Sequence, residues 1–154
     1  MNSTISVGQV GLGIMGGAFE KHLRAAGFAV RGFDPDNKAC AALKARGGVV
    51  EKSAAAVARA CNVIITSLPS IKTMEAAFFG KDGIASGAKK GAIVIEASTM
   101  PIDVKQSIRV RCAKQGVIVL DCPISGTGAQ AAAKDISVYA SGDAAAVKRC
   151  DAVF

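Results

Sequence analysis

Short apolar runs alternate with longer segments of helical periodicity along this chain. The apolar runs, at 5–10, 29–33, 49–50, 62–68, 92–97, 117–121 and 137–141, have the length and β-branched content of strands. Between them the sequence predicts helices at 14–26, 36–46 and 53–60, one through "MEAAFF", two more at 102–114 and 129–134, and a last one from Asp143. Strands and helices in this alternation predict an α/β fold with a doubly wound, mostly parallel sheet and helices on both faces.

Two local patterns add detail to this prediction. The run "NVIITSL" at 62–68 is continuously apolar, as expected for a strand covered on both faces. Ser53 stands where an N-cap is expected for the helix at 53–60. The chain stops at Phe154 inside a predicted amphipathic helix, so we expect one domain over residues 1–154, truncated before a further domain.

Composition narrows the possible partners and the compartment. Hydrophobic residues make up 51% of the chain and charged residues 20%, as in a globular domain. The net charge of +7 is not gathered into a basic run, and one Tyr without Trp offers little stacking surface, so nucleic acid is not an expected partner. No segment is long and apolar enough to span a bilayer.

The cysteines and the first residues favour a cytoplasmic protein. Five widely spaced cysteines without a CxxC pair indicate reduced thiols, with no disulfide framework and no metal site. The apolar start is interrupted by glycines and no Lys or Arg precedes it, so we do not expect a secretory signal.

The segment "GLGIMG" carries the first chemical signal. Gly11, Gly13 and Gly16 have the GxGxxG spacing, directly after a predicted strand and at the start of a predicted helix. In a Rossmann-type domain the first glycine allows the tight turn, the second lets a pyrophosphate approach the backbone, and the third lets helix and strand pack closely. Free N–H groups at the helix N-terminus attract the phosphates.

An acidic residue at the end of the second predicted strand completes this fingerprint. Asp34 lies close to the spacing of roughly 20 residues at which a carboxylate accepts hydrogen bonds from the adenosine ribose. This carboxylate favours NAD, while the nearby Arg31 and Lys38 leave NADP possible. In the alternative interpretation Asp34, followed by Pro35, only turns the chain.

Four ordered motifs together resemble one family. The segments "VGLGIMGGAFEKHL", "SLPS" at 67–70, "EASTMP" at 96–101 and "DCPISGTGAQAAAKDI" at 121–136 are similar to those of the β-hydroxyacid dehydrogenases, the 3-hydroxyisobutyrate dehydrogenase superfamily. The family pattern runs GLGxMGxxMxxNL, Leu-Pro, Ser-Thr before a Pro, then DxPVSGG. The resemblance covers essentially all of the 154 residues.

The resemblance implies a function and a set of site residues. Members interconvert β-hydroxy acids and their semialdehydes or keto acids by hydride transfer with a nicotinamide cofactor, so the implied partner is a small hydroxy acid. The implied sites are listed by role: Gly11, Leu12, Gly13, Ile14, Met15 and Gly16 for the pyrophosphate, Asp34 for the ribose, Leu68, Pro69 and Thr99 for the nicotinamide side, and Ser125, Gly126 and Thr127 for the substrate carboxylate.

Several positions depart from the family pattern. Thr127, Gln130 and Lys134 stand where the family usually has glycine, and Asp135 where it has Thr. The family's general acid/base is a lysine in a GxxxNxxK pattern, which is expected beyond Phe154, as is the helical domain through which members form homo-oligomers. Lys134 and His22 are expected to be surface residues and not substitutes for that lysine.

Two other functions remain open at this point. NADP-dependent relatives, the 6-phosphogluconate dehydrogenases and the imine reductases, share the cofactor half of the pattern. A non-catalytic nucleotide-binding module would keep the same half without the chemistry.

Overall fold

A computed structural model describes residues 6–154 and places six parallel strands in one sheet. These strands are β1 (Ser6–Val10), β2 (Ala29–Phe33), β3 (Val49–Val50), β4 (Val63–Thr66), β5 (Ile93–Glu96) and β6 (Ile118–Asp121). They lie in the order β3-β2-β1-β4-β5-β6, and every neighbouring pair is parallel. This is the strand order of a Rossmann sheet, so the predicted fold class is confirmed. Ile5, the first residue of the first predicted strand, lies outside the described residues.

Helices connect the strands as the periodicity predicts. They are α1 (Ile14–Ala25), α2 (Asn37–Ala45), α3 (Ala54–Ala60), α4 (Ile71–Phe79), α5 (Ile84–Gly87), α6 (Ile102–Ala113), α7 (Gly128–Ala132) and α8 (Ala144–Arg149). The predicted N-cap is confirmed, because Ser53 Oγ accepts a hydrogen bond from the Ala56 amide at 3.1 Å. The sequence analysis missed α5, since its four residues, Ile-Ala-Ser-Gly, are too short to show a helical period.

Both faces of the sheet are buried. Ile64 and Ile65 are neighbours on β4, yet Ile64 packs into a core with Phe78 while Ile65 packs into a second core with Leu23. Successive side chains of a strand point to opposite faces, so a continuously apolar run fits a strand that is covered on both sides. The prediction made from "NVIITSL" is confirmed.

A second, two-stranded sheet follows the last parallel strand. Its strands, β7 (Ile124–Ser125) and β8 (Ser137–Val138), are antiparallel, and a single bridge between Asp121 and Ser141 joins this region to β6. The strand predicted at 137–141 is therefore shorter than expected, and β7 was missed inside the segment "ISGTG". The last helix, α8, ends at Arg149, so the prediction that Phe154 lies inside a helix is wrong.

Within residues 6–154, no helix combines the length and apolar character that a membrane crossing requires. The five cysteines are free thiols.

We expect Cys40 to react first when the folded chain is treated with a thiol reagent at pH 8. Cys40 is half-buried, whereas the other four cysteines are buried. Burial raises the pKa of the Cys112 and Cys122 thiols from 9.0 to about 11, which keeps them in the unreactive protonated form. Labelling with Ellman's reagent should show one fast thiol, and all five in denaturant. Several fast thiols in the folded chain would contradict the burial of these side chains.

Candidate functional site

The residues predicted to bind cofactor follow the carboxyl ends of the parallel strands. Gly11 follows β1, Asp34 follows β2, Leu68 lies just beyond β4, and Thr99 lies just beyond β5. In a doubly wound sheet, ligands bind in the crevice at this edge, beside the strand where the order reverses. That strand is β1, which lies between β2 and β4. The fold therefore brings these four predicted groups to one edge of the sheet.

The glycine loop has the geometry that its spacing predicts. Gly11 has a φ of +88°, and a Cβ built there would lie 2.1 Å from the Ser67 carbonyl oxygen. A Cβ on Gly16 would lie 1.9 Å from the Gly11 carbonyl oxygen. A side chain at either position would collide with backbone, so the tight turn and the close approach of α1 both require glycine.

Gly13 differs from the other two glycines of the loop. A Cβ built there would meet nothing within 4 Å, so no protein atom explains the absence of a side chain. Gly13 is also the N-cap of α1, where no side chain caps the helix and the neighbouring Ile14 is 80% exposed. The open space therefore lies in front of free N–H groups and the positive end of a helix, and these residues fit a pyrophosphate.

A buried glutamine forms a hydrogen bond with the backbone of the glycine loop. Gln9 on β1 is fully buried, and its Nε2 donates a hydrogen bond to the Gly11 carbonyl oxygen at 3.0 Å. A Cβ on Gly16 would also come within 2.9 Å of this Nε2. The sequence analysis did not single out Gln9, although an amide side chain inside a strand predicted to be buried was the available signal.

Asp34 connects the end of β2 to the glycine loop. Its Oδ2 accepts a hydrogen bond from the Leu12 amide at 2.7 Å, and its Oδ1 accepts one from the Asp36 amide at 2.8 Å. The alternative interpretation, in which Asp34 turns the chain, thus describes part of what this residue does. Each carboxylate oxygen can accept two hydrogen bonds, so each Asp34 oxygen can still accept one from a ribose hydroxyl.

The segments after β4 and β5 are joined by buried hydrogen bonds. The Leu68 amide donates to Ser98 Oγ at 2.8 Å, and the Ser98 amide donates to Glu96 Oε1 at 2.8 Å. Ser98 is 5% exposed and Glu96 is 2% exposed, while Pro69 and Thr99 are exposed beside them. Ser98 and Glu96 therefore fix the backbone that presents Leu68 and Thr99, and the sequence analysis missed both.

A lysine completes this buried cluster. Lys105 Nζ on α6 lies 2.9 Å from Glu96 Oε2 and 2.5 Å from Asp121 Oδ1. Burial lowers the pKa of Lys105, but hydrogen bonds and attraction from Asp121 and Glu96 outweigh that effect and raise it above its ordinary value. Lys105 is therefore a permanent cation at neutral pH.

The segment predicted to bind a carboxylate is exposed, and two of its hydrogen-bond donors have no partner within the described residues. Ser125, Gly126 and Thr127 are all exposed, and Gly126 has a φ of +144°. Among the described residues, neither the Ser125 hydroxyl nor the Gly126 amide has a hydrogen-bond partner. These two groups are the available donors of the segment.

Thr127 is engaged in a different way. Its amide donates to Gln130 Oε1 at 2.9 Å, and its hydroxyl accepts from the Gln130 amide at 3.2 Å, which is a capping box at the start of α7. Gln130 Nε2 also lies 3.4 Å from Asp135 Oδ2. Three of the departures from the family pattern, at 127, 130 and 135, therefore interact with one another.

The two candidate substitutes for a catalytic base are placed differently. Lys134 is exposed, as predicted, and has a φ of +60°, which is unusual for a residue other than glycine. His22 is half-buried rather than a surface residue, because α7 covers this face of α1 and His22 Nε2 donates to the Ala131 carbonyl oxygen at 2.9 Å.

Two cavities lie outside the glycine loop. The larger, of about 420 Å³, is apolar and lies between α1, the β7–β8 region and Phe154. The smaller, of about 270 Å³, is lined by Lys105, Asp121 and Gly142. In the part of the chain that the structure describes, no three His, Cys, Asp or Glu side chains are grouped as metal ligands.

Comparisons with known proteins agree with this geometry. The family model described as the NAD binding domain of 6-phosphogluconate dehydrogenase matches residues 6–154. The L-threonate dehydrogenase of Cupriavidus necator is 33% identical over 141 residues, which are 92% of this chain and 48% of that protein.

Solved structures show the same fold. The 3-hydroxyisobutyrate dehydrogenase of Mycobacterium tuberculosis, solved with L-serine, matches with a TM-score of 0.91 at 28% identity over 98% of this chain and 51% of that one. An imine reductase of Streptomyces aurantiacus matches with a TM-score of 0.83 at 23% identity over 96% of this chain and 51% of that one, a likeness of fold alone. The chain spans about half the length of these relatives.

Proposed function

We infer the function of this chain from one premise: it belongs to the NAD-binding domain family of 6-phosphogluconate dehydrogenase, as the N-terminal domain type of the 3-hydroxyisobutyrate dehydrogenase superfamily. The resemblance found in its motifs is thereby confirmed. We propose that it forms the cofactor-binding part of an NAD-dependent enzyme that interconverts a β-hydroxy acid and its semialdehyde or keto acid. The observation that carries this proposal is the open space at Gly13 in front of the uncapped N-terminus of α1.

In this proposal the loop from Gly11 to Gly16 binds the pyrophosphate through backbone N–H groups, including those of Ile14 and Met15, while the Leu12 amide is held by Asp34 and fixes the loop. Asp34 binds the adenosine ribose through the free lone pairs of its carboxylate. Leu68, Pro69 and Thr99 line the nicotinamide side of the crevice, on segments held by Ser98.

Ser125 and Gly126 bind the substrate carboxylate, because a hydroxyl and a free amide donate the short, charge-assisted bonds that a carboxylate accepts. Thr127 contributes by capping α7, since its amide and hydroxyl are engaged by Gln130.

The bound nicotinamide supplies the hydride acceptor for oxidation of the hydroxy acid, and the donor in the reverse direction. Oxidation removes a hydride from the β-carbon and the proton from its hydroxyl, so the proton needs a base. The resemblance assigns that base to a lysine in a GxxxNxxK pattern, which these 154 residues do not contain. In this proposal the residues of this chain orient the cofactor and the hydroxy acid. The general base, the helical domain and the homo-oligomer belong to the longer protein that we propose.

The surroundings of Asp34 support NAD over NADP. A 2′-phosphate on the adenosine ribose would meet the Asp34 carboxylate. The nearby Arg31 is held by Glu51, because Arg31 Nε donates to Glu51 Oε1 at 2.7 Å. Lys38 is the other nearby cation named in the sequence analysis. It is exposed, and within the described residues it forms no salt bridge.

We expect this chain to bind NADH at least about tenfold more tightly than NADPH, since like charges at Asp34 disfavour the 2′-phosphate. Asp34→Asn should reduce that preference by about tenfold, mainly by improving NADPH binding. Asp36→Asn is the matched control, because Asp36 is exposed and asparagine caps a helix as well as aspartate does. Calorimetric titration of the unmodified chain and of both variants with each nucleotide measures the six affinities.

The other outcomes select among the alternatives. A preference of the unmodified chain for NADPH would favour an NADP-dependent relative, of the 6-phosphogluconate dehydrogenase or imine reductase kind. Tight NADH binding without turnover of any hydroxy acid by the longer protein would favour a non-catalytic nucleotide-binding module. Binding of neither nucleotide by folded chain would contradict the proposed function.

A further inference from the structure

We propose that Lys105 is a positioning residue that holds the two nicotinamide-side segments, 67–69 and 97–99, in fixed relation to each other and to β6. The inference rests on the proposed function, because that function assigns these segments to the nicotinamide half of the cofactor. Lys105 acts on them through two carboxylates and is not itself assigned to cofactor or substrate.

The first half of the connection runs from Lys105 to β4. Its ammonium group forms a salt bridge with Glu96 Oε2 at 2.9 Å, while Glu96 Oε1 accepts the Ser98 amide, and Ser98 Oγ in turn accepts the Leu68 amide. Thr66 Oγ1 also donates to Glu96 Oε1 at 3.4 Å. The orientation of the Glu96 carboxylate therefore sets the backbone positions of both nicotinamide-side segments.

The second half of the connection runs from Lys105 to β6. Asp121 Oδ1 accepts from Lys105 Nζ at 2.5 Å, and the backbone of Asp121 exchanges hydrogen bonds with Ser141 at 2.9 and 3.0 Å. The Cys122 amide donates to the Glu96 carbonyl oxygen at 2.9 Å. Asp121 therefore anchors Lys105 on the strand that leads into the substrate segment.

Burial distinguishes this cluster from a surface ion pair. The side chain of Lys105 is 9% exposed and that of Glu96 is 2% exposed, so both charges have little contact with bulk water. A buried ion pair adds little net stability, because desolvation offsets most of the attraction, and an apolar pair of the same volume would serve stability as well. An apolar pair would contain no carboxylate to accept the Ser98 amide. The charged pair therefore contributes the orientation of the hydrogen bond at Ser98 and not net stability.

The test compares NADH with ADP-ribose, which has the same adenosine, phosphates and second ribose but no nicotinamide. Calorimetric titration gives the ratio of the two affinities for each variant. In Lys105→Met we expect this ratio to fall about tenfold while the ADP-ribose affinity stays within about twofold of the unmodified chain, as one lost coupling in a network would produce. Lys105→Arg keeps the charge and should restore the ratio to within about twofold.

Two further variants complete the design. Lys114→Met removes an exposed lysine just beyond the same helix and should leave the ratio unchanged. Asp121→Ala removes the anchor while Lys105 keeps Glu96, and it should lower the ratio about threefold. Because the Asp121 side chain is 44% exposed, this variant is expected to fold, and it carries the test if Lys105→Met does not.

The outcomes separate this inference from the proposed function. An unchanged ratio in folded Lys105→Met, or in Asp121→Ala if Lys105→Met does not fold, overturns the inference alone. A parallel fall in both affinities does the same, because it reveals general structural damage. Failure of the unmodified chain to bind either nucleotide overturns the proposed function and this inference with it.

Discussion

Gly13→Ala is expected to weaken NADH binding about hundredfold or more, and to lower the free energy of unfolding by no more than about 1 kcal/mol, since alanine is a poorer N-cap than glycine. The backbone at Gly13 has a φ of −66°, which alanine adopts without strain, and the added methyl group would meet no protein atom within 4 Å. It would instead occupy the space in front of α1 that we assign to the pyrophosphate. Binding would be lost without damage to the fold.

Gly16→Ala should behave in the opposite way. Its methyl group would lie 1.9 Å from the Gly11 carbonyl oxygen, so α1 has to move away from β1, and we expect a loss of about 3 kcal/mol in the free energy of unfolding. Gly17→Ala is the matched control, since its methyl group would be 3.4 Å from the Leu12 carbonyl oxygen and the residue lies inside the helix. That variant should keep both NADH affinity and stability.

Chemical denaturation and calorimetric titration with NADH, applied to all three alanine variants, give the two quantities separately. If Gly13→Ala binds NADH as tightly as the unmodified chain does, the pyrophosphate does not lie against this loop. If Gly16→Ala is as stable as the unmodified chain, the close approach of α1 to the turn is not required.

Arg46→Met is expected to lower the free energy of unfolding by about 3 kcal/mol, and the melting temperature by roughly 10 °C. Glu20 on α1 is fully buried, and Arg46 Nε, at the end of α2, donates to Glu20 Oε1 at 2.5 Å. Within the described residues, Glu20 Oε2 has no hydrogen-bond partner. Without Arg46, the Glu20 carboxylate would stay buried with no counter-charge, and this accounts for the size of the loss.

The double variant Glu20→Gln, Arg46→Met tests this cause. It removes both charges, so most of the lost stability should return if the unpaired carboxylate is responsible. Arg59→Met, at an exposed position in the last turn of α3, is the control for the loss of one surface arginine and should change stability by less than about 0.5 kcal/mol. A double variant as unstable as Arg46→Met would show that packing by the arginine side chain, and not its charge, is what matters. Differential scanning calorimetry measures all three.

The sequence predicted the main sheet well because the signals for it are local. Apolar runs bounded by glycine or by polar residues gave β2 and β3 their observed limits, and the alternation with helices indicated a parallel sheet. The strand predicted at 62–68 came out longer than β4, because Ser67 and Leu68 keep an apolar or small character after the backbone leaves the ladder. Hydrophobic periodicity identifies a strand, but it does not show at which residue the chain leaves the sheet and enters the crevice.

The residues of the candidate site also differ in whether a local sequence pattern marks them. The sequence predicts the three glycines and Asp34 as site residues from their spacing together with the strands and the helix that flank them. Ser98, Glu96 and Lys105 were missed because their contacts join strands and a helix that are distant in the sequence. On a helix that also carries Arg109 and Arg111, nothing in the local pattern marks Lys105 as buried.

The substrate segment shows a third kind of limit. The sequence identified Thr127 and Gln130 as departures from the family pattern, and both belong to one capping box. The S/T-x-x-E/Q signature of a capping box was present in the sequence. The family position of Thr127 predicts a group for a carboxylate, whereas the local capping signature predicts the hydrogen bonds that it makes with Gln130.

The residues that we propose for the cofactor follow strands of the six-stranded sheet, whereas Ser125 lies on the two-stranded sheet, and within residues 6–154 one bridge, between Asp121 and Ser141, joins that region to β6. The region of the small sheet also packs on the main sheet and its helices, because Cys122 and Ala131 are buried and the Ala131 carbonyl accepts from His22. Ser125 is different, because it is exposed and its hydroxyl has no partner within the described residues, so substitutions there are expected to leave the glycine loop and Asp34 in place. A change of the proposed acid specificity at Ser125 would therefore leave the proposed nucleotide site unaltered.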